Sequence, residues 1–221
     1  MRTVIFDLDG TLADTSGDLI AAANACFRAL GHGELLDPAR DQFTALRGGK
    51  AMLTLGYERL GRAGDIAAVE AQYPLLLRHY ADAIDRHTRL YPGAVAAVEA
   101  LAASGYRVGI CTNKPAELAE TLLMRLGVRE LFASVIGADT LPVRKPDPAP
   151  YRAAVEGAGG TLGRSLLVGD TETDRATARA AGVPCVLVTF GPEGVGVRRH
   201  DPDGLLDHYR DLGGVVSGLI G

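Results

Sequence analysis

Short apolar blocks alternate with longer amphipathic stretches along this chain, and the alternation changes character once. Val4-Ile5-Phe6 is a compact run of β-branched and aromatic residues that ends against Asp7, Asp9 and Gly10. Such a run suits a strand covered on both faces. Leu19, Ile20, Ala23, Phe27 and Leu30 then recur at helical spacing behind Ser16, a residue suited to an N-cap, and Gly31 ends the run. Helical patterning continues over residues 38–46, 50–60 and 66–86, with Gly48-Gly49 closing the first of these and Pro74 expected to kink or split the last. No strand pattern interrupts residues 15–86.

From Tyr91 onward the period changes. Pro92-Gly93 opens a helix that ends near Ser104-Gly105, and residues 108–112 form a short buried strand. A helix over 115–126, a weaker strand over 134–137 and a helix over 148–158 follow. A strand over 166–168 then runs into Gly169-Asp170, and a helix over 172–181 and a strand over 185–189 complete the series. This alternation predicts an α/β fold, a doubly wound parallel sheet with helices on both faces. Residues 1–14 and 87–221 are expected to build that core, and 15–86 an inserted helical module. The tail after Gly191, rich in Gly, Arg and Asp, is expected to be loop with one or two short helices.

Composition narrows the function classes. Hydrophobic residues make up 47% of the 221 and charged residues 23%, the balance of an ordinary globular protein rather than a disordered one. The net charge of −4 has no basic block within it, which argues against nucleic acid or an anionic membrane as partner. Aromatics are 5% and Trp is absent, so stacking platforms for bases are lacking. No apolar run is long enough to span a bilayer, and no signal-peptide pattern precedes the first strand. Cys26, Cys111 and Cys185 sit singly among apolar residues, as reduced core thiols do. The expectation is a cytoplasmic protein, monomer or homodimer.

The polar residues then gather in one place. Ligands of a doubly wound sheet bind beyond the C-terminal ends of its strands. Asp7 and Asp9 close the first strand, and residues two apart on an extended chain point the same way. Two carboxylates so close repel unless a cation or a proton joins them. Thr112, Asn113 and Lys114 close a second strand, Asp170 a third, and Asp174 lies one helical turn later. Lys145 leads a proline-rich tract, Lys145-Pro146-Asp147-Pro148. The inventory is carboxylates for a hard cation, lysines and a hydroxyl for an anion, and a carboxylate able to attack. Blander readings remain for some positions. Asp14 serves equally well as a cap for the coming helix, and Asn113-Lys114-Pro115 as a turn at a helix start.

The segment Asp7-Leu8-Asp9-Gly10-Thr11-Leu12-Ala13-Asp14 resembles the first motif of the haloacid dehalogenase-like superfamily. Thr112-Asn113 resembles its second, Lys145-Pro146 its third, and Gly169-Asp170 through Asp174 its fourth. The resemblance runs from residue 1 to about 191, and the helical insert matches the α-helical cap of one large class. Cys111-Thr112-Asn113-Lys114-Pro115 and Lys145-Pro146-Asp147-Pro148 bring the chain nearest to phosphoglycolate phosphatase-like members.

The resemblance implies a Mg²⁺-dependent hydrolase of a small phosphomonoester, 2-phosphoglycolate first, acting through an aspartyl phosphate. Asp7 would be the nucleophile and Asp9 the general acid and base. Asp7, the backbone carbonyl of Asp9, and Asp170 would hold Mg²⁺, and Asp174 would orient metal-bound water. Thr112, Asn113 and Lys145 would hold phosphoryl oxygens. The helical cap would choose the substrate. Its string Leu46-Arg47-Gly48-Gly49-Lys50 offers Arg47 and Lys50 to an anion, or else is a Gly-terminated helix with solvated charges. A phosphosugar mutase or a sugar-phosphate phosphatase of the same fold is the alternative. A dehalogenase is disfavoured by Asp9, and a non-catalytic binding module by the intact polar set.

Overall fold

The computed structural model describes residues 1–221. Its chain divides into two compact units, one of Met1–Ala13 with Leu90–Gly221, the other of Asp14–Arg89.

The first unit is built outward from β1 (Thr3–Phe6), whose four residues are all buried. Full burial of Val4, Ile5 and Phe6 is worth roughly 1.5–3 kcal/mol for each large side chain. The short strands β2 (Ala13–Asp14) and β3 (Arg89–Leu90) form a separate two-stranded sheet. After helix α5 (Ala94–Ala103) comes β4 (Arg107–Cys111), then α6 (Ala116–Arg125), β5 (Ser134–Ile136), α7 (Pro148–Gly157), β6 (Ser165–Gly169), α8 (Glu172–Ala181) and β7 (Cys185–Val188). A last strand, β8 (Gly204–Leu206), precedes helix α9 (Leu212–Ile220).

The main sheet has six strands in the order β5-β4-β1-β6-β7-β8, and every pairing is parallel. The chain therefore winds to one side of β1 through β4 and β5, then crosses to the other side for β6, β7 and β8. β1 lies at that reversal, flanked by β4 with Phe6 opposite Ile110, and by β6 with Phe6 opposite Val168. The C-terminal ends of these three strands consequently lie together, where a doubly wound sheet forms its crevice. Ile5, Leu167, Cys185 and Leu187 meet Tyr151, Val155 and Ala178 of the covering helices in one apolar core cluster.

The tail differs from expectation. It supplies β8 as well as helix, and β8 pairs with β7 through Val186 opposite Gly204 and Val188 opposite Leu206. Three residues beginning with Gly carry no strand signature. The register is set by Asp203 instead: its amide donates to the Cys185 carbonyl at 2.9 Å, and its carboxylate accepts from the Cys185 amide at 2.8 Å and from Arg175 at 2.7 Å.

The second unit is helical: α1 (Ser16–Ala29), α2 (Gln42–Ala45), α3 (Gly49–Arg59) and α4 (Ile66–Asp82). α2 is much shorter than the expected 38–46. The Asp37 carboxylate takes the Ala39 amide at 2.8 Å, and Asp41, held by both Arg59 guanidinium nitrogens at 2.7 Å, takes the Asp37 amide at 2.6 Å. These side-chain bonds satisfy the backbone locally and displace the helical ladder. Pro74, expected to kink or split the last helix, lies within α4, which stays one element from Ile66 to Asp82. Asp14 precedes the N-cap of α1, which is Thr15, and its carboxylate accepts from the Ser16 amide at 3.1 Å and hydroxyl at 2.6 Å. Buried Asp18 accepts from the amides of His87 and Thr88 and the Thr88 hydroxyl, joining the start of α1 to the segment after α4. None of the helices is long and apolar enough to cross a membrane.

Candidate active site

Asp7 is the first residue past β1, and its amide continues the ladder to the Val168 carbonyl at 2.9 Å. The chain then turns sharply back. Leu12 and Ala13 amides both reach the Leu8 carbonyl, and the Gly10 amide reaches the Ala13 carbonyl at 2.8 Å. Gly10 sits at φ +79°, a left-handed conformation that glycine adopts without strain. This loop leaves both aspartates at the strand's end, Asp7 with its side chain 13% exposed and Asp9 18%.

Asp7 Oδ1 accepts from the Leu8 amide at 2.7 Å, and Oδ2 lies 3.0 Å from Lys145 Nζ. The same ammonium donates to Asp174 Oδ1 at 2.6 Å, and its side chain is 1% exposed. Asp174 Oδ2 meanwhile takes the Asp170 and Thr171 amides and the Thr171 hydroxyl. Asp174 stands at the start of α8 and closes its first turn in this way. Asp170 follows β6 and is 1% exposed. Its Oδ1 accepts from the Thr11 hydroxyl at 2.9 Å, while its buried Oδ2 has no partner.

The electrostatics follow from this crowding. Burial, more than any other cause, pushes the Asp7 carboxyl up to about 6, and the Asp174 and Asp9 charges add to it against the pull of Lys145. Burial also raises Asp170 well above the usual carboxylate range, with the charges of Asp174 and Asp7 next. Burial opposes the Lys145 charge, yet Asp174 and Asp7 outweigh it and hold the ammonium. One lysine shared between two carboxylates relieves Asp7 only in part.

On the other flank, at the end of β4, Thr112 is buried and its hydroxyl oxygen accepts from the Lys114 amide at 3.2 Å. Its O–H remains available to donate. Asn113 is exposed and gives its side-chain amide to the Lys145 carbonyl at 3.1 Å, so it steadies the backbone that carries Lys145. Lys114 reaches into the cleft: its ammonium contacts both Asp9 oxygens, at 2.8 and 3.1 Å. The sequence places Lys114 among the polar residues at this strand end, with a turn at a helix start as the equal alternative, and names no partner for it.

The tail is the second contributor that the motifs do not announce. The Tyr209 hydroxyl donates to the Thr11 carbonyl at 2.8 Å, and Phe190 packs against Tyr91 and Tyr209 with ring centroids 5.0 and 5.2 Å apart. Thr11, which orients Asp170, is thus held from behind by residues near the chain's end. The pattern of the sequence carries no signal for that return.

Arg47 and Lys50 belong to the second unit and are both exposed, Arg47 on the turn before α3 and Lys50 in its first turn. Lys50 Nζ pairs with Glu70 at 2.6 Å and lies over the Tyr73 ring.

Four carboxylates (Asp7, Asp9, Asp170 and Asp174) and two ammoniums (Lys114 and Lys145) leave this cluster two negative charges in excess when all are ionised. Oxygens of Asp7, Asp170 and Asp174 lie within 4.8 Å of one another. Proximity alone would make all three ligands, but Asp174 Oδ2 already takes three donors and its Oδ1 the shorter Lys145 contact, whereas each Asp7 oxygen has a single partner. The unpartnered, buried Oδ2 of Asp170 is a different case: a desolvated carboxylate oxygen without a donor is expensive, and a hard divalent cation satisfies it. Asp7 and Asp170 fit such an ion, with Asp174 and Thr11 fixing their surroundings.

The family model described as "Haloacid dehalogenase-like hydrolase" matches residues 4–188. The chain is 38% identical over 211 residues to a phosphoglycolate phosphatase of Mesorhizobium japonicum, covering 95% of this chain and 92% of that protein. It is 42% identical over 196 residues to a phosphoglycolate phosphatase of Rhodospirillum rubrum, covering 86% and 80%. Among solved structures, one from Haemophilus somnus, described as a "predicted phosphoglycolate phosphatase", shares the fold with a TM-score of 0.84 over 97% of each chain at 24% identity.

Proposed function

The chain belongs to the haloacid dehalogenase-like hydrolases, and from that premise we propose that it hydrolyses a small phosphomonoester, 2-phosphoglycolate first, through a phosphorylated Asp7. The relatives' shared description as phosphoglycolate phosphatases supports the substrate.

Asp7 is the attacking group on this reading. Its carboxylate forms a bond to phosphorus as the ester P–O bond breaks, which divides one difficult hydrolysis into two easier steps. The Leu8 amide and Lys145 fix the carboxylate's orientation. Asp9, two residues on, gives a proton to the departing alkoxide. It then takes one from the water that cleaves the acyl phosphate, releasing inorganic phosphate and restoring Asp7. A positioned acid/base of this kind contributes about 10²–10⁴-fold. The Thr112 hydroxyl and Lys145 hold the phosphoryl oxygens as charge shifts among them. A divalent cation, Mg²⁺ on this reading, would be held by Asp7, the Asp9 carbonyl and Asp170, and would supply charge neutralisation between the phosphoryl group and the carboxylates.

The observation that carries the reading is the close carboxylate pair of Asp7 and buried Asp170, with one oxygen of Asp170 left without a donor. Phosphate release from a panel of phosphomonoesters, with Mg²⁺ and after chelation, tests it. Turnover should require the metal, and Asp7→Asn should abolish it. Turnover of no ester, or an Asp7→Asn variant as fast as the parent, would overturn the reading.

A further inference from the structure

We propose that Tyr209 is a positioning residue for the cation site, its hydroxyl setting, through Thr11, the orientation in which Asp170 meets the ion. Tyr209 acts here on the ion site of the hydrolase reading above, on which the proposal rests, and on no step of the hydrolysis itself.

The relay has two links, both buried. The Tyr209 hydroxyl donates to the Thr11 carbonyl at 2.8 Å, and the Thr11 hydroxyl donates to Asp170 Oδ1 at 2.9 Å. Tyr209, Thr11 and Asp170 are all buried, so no solvent stands ready to replace a lost donor. The first link fixes a peptide plane. At one end of the Thr11–Leu12 peptide the Leu12 amide donates to the Leu8 carbonyl at 3.0 Å. At the other end the Thr11 carbonyl takes the Tyr209 hydroxyl. With both ends tied, the Thr11 side chain leaves the loop in the direction that meets Asp170. The second link decides which oxygen of Asp170 is left over. Thr11 occupies Oδ1, while Oδ2 is buried without a donor and is the oxygen a hard cation would take.

Tyr209 can serve in this way because packing, not the hydroxyl, places its ring. The ring lies 5.2 Å from that of Phe190, which in turn lies 5.0 Å from that of Tyr91. Tyr209→Phe therefore keeps the aromatic cluster and removes only the donor. The Thr11 carbonyl then loses one of the two ties on its peptide, and Asp170 loses a fixed partner. A residue that serves only as a brace would change stability on this substitution and leave metal affinity alone.

The test is a calorimetric titration of the metal-free protein with Mg²⁺, which needs no turnover. Thr11→Val removes the hydroxyl that touches Asp170 and should weaken Mg²⁺ binding by about 10–100-fold. Tyr209→Phe acts one bond further away and should weaken it by about 3–10-fold. In the Thr11→Val background the same Tyr209→Phe change should alter affinity by less than about twofold, because the link that carries its effect is gone. Thr11→Ala serves the same comparison should the Val variant not fold. A Tyr209→Phe or Thr11→Val protein that binds Mg²⁺ like the parent would overturn the proposal. So would a Tyr209→Phe effect that persists undiminished in the Thr11→Val background, since Tyr209 would then not act through Thr11. A parent that binds no Mg²⁺ overturns the proposal together with the ion site. The expected pattern of affinities in a protein that hydrolyses no ester supports the proposal while the hydrolase reading falls.

Discussion

Lys145 shows at the level of one residue how a buried charge organises the cleft. Its ammonium is the shared partner of Asp174 and Asp7, at 2.6 and 3.0 Å. Removing one member of a buried ionic group leaves the others uncompensated, at a cost of about 3–5 kcal/mol. Lys145→Met should therefore lower the denaturant midpoint of the metal-free protein by that equivalent, measured by urea unfolding. Turnover should fall by about 10²–10³-fold, the usual loss when a donor to a developing charge is removed. An unchanged midpoint would mean that Lys145 is not the compensating charge. Asn113 has a quieter part: its side-chain amide supports the Lys145 carbonyl.

At the level of elements, the junction of β6 with α8 leaves no room for a side chain at Gly169. A Cβ on Gly169 would fall 2.3 Å from Asp174 Cγ and 2.5 Å from its Oδ2, so no larger residue fits while Asp174 holds Lys145. Gly169→Ala should destabilise by roughly 1–3 kcal/mol through overpacking and lower kcat with it. Gly163→Ala is the control: a Cβ there meets nothing within 4 Å, and its effect should stay within about 0.5 kcal/mol. Equal stability losses in the two variants would refute the steric account. The same economy of space governs the loop after β1, where Gly10 turns the chain and Tyr209 secures the Thr11 carbonyl behind it.

For the whole molecule, the acidic cleft couples stability to pH and to metal. Asp7, with its carboxyl raised from 3.8 to about 6, and Asp170, shifted in the same direction, bind protons more tightly folded than unfolded. Without metal, the contribution of Asp7 is complete below pH about 4 and is lost as pH rises through about 6, and that of Asp170 is lost in the same direction as pH rises. Asp41 is lowered by its hydrogen bonds to Arg59, so its own pH dependence lies below that window. The metal-free protein should lose thermal stability between pH 4 and 7. Mg²⁺ should restore it at pH 7, by about 2.7 kcal/mol at a hundredfold excess over Kd, and much less at pH 5, where a proton competes for Asp7. Asp170→Asn should abolish the Mg²⁺ response. A melting temperature indifferent to Mg²⁺ at pH 7 would argue against the ion site.

The sequence by itself determined the alternating elements, the parallel α/β sheet and the strand ends at which Asp7, Thr112 and Asp170 stand. These are local properties: β-branched runs, helical spacing, and glycines at element ends. Residues two apart on one strand end share a direction whatever the rest of the fold does. Only the tertiary structure decided the partners. Lys145 joins Asp7 and Asp174 across separations of more than a hundred and of 29 residues, and Lys114 finds Asp9 across 105. Tyr209 returns across 198 residues to brace Thr11. β8 exists because Asp203 secures its register against β7. Short polar segments have no preference strong enough to show in a pattern, and the charge that meets each carboxylate depends on which strands lie side by side.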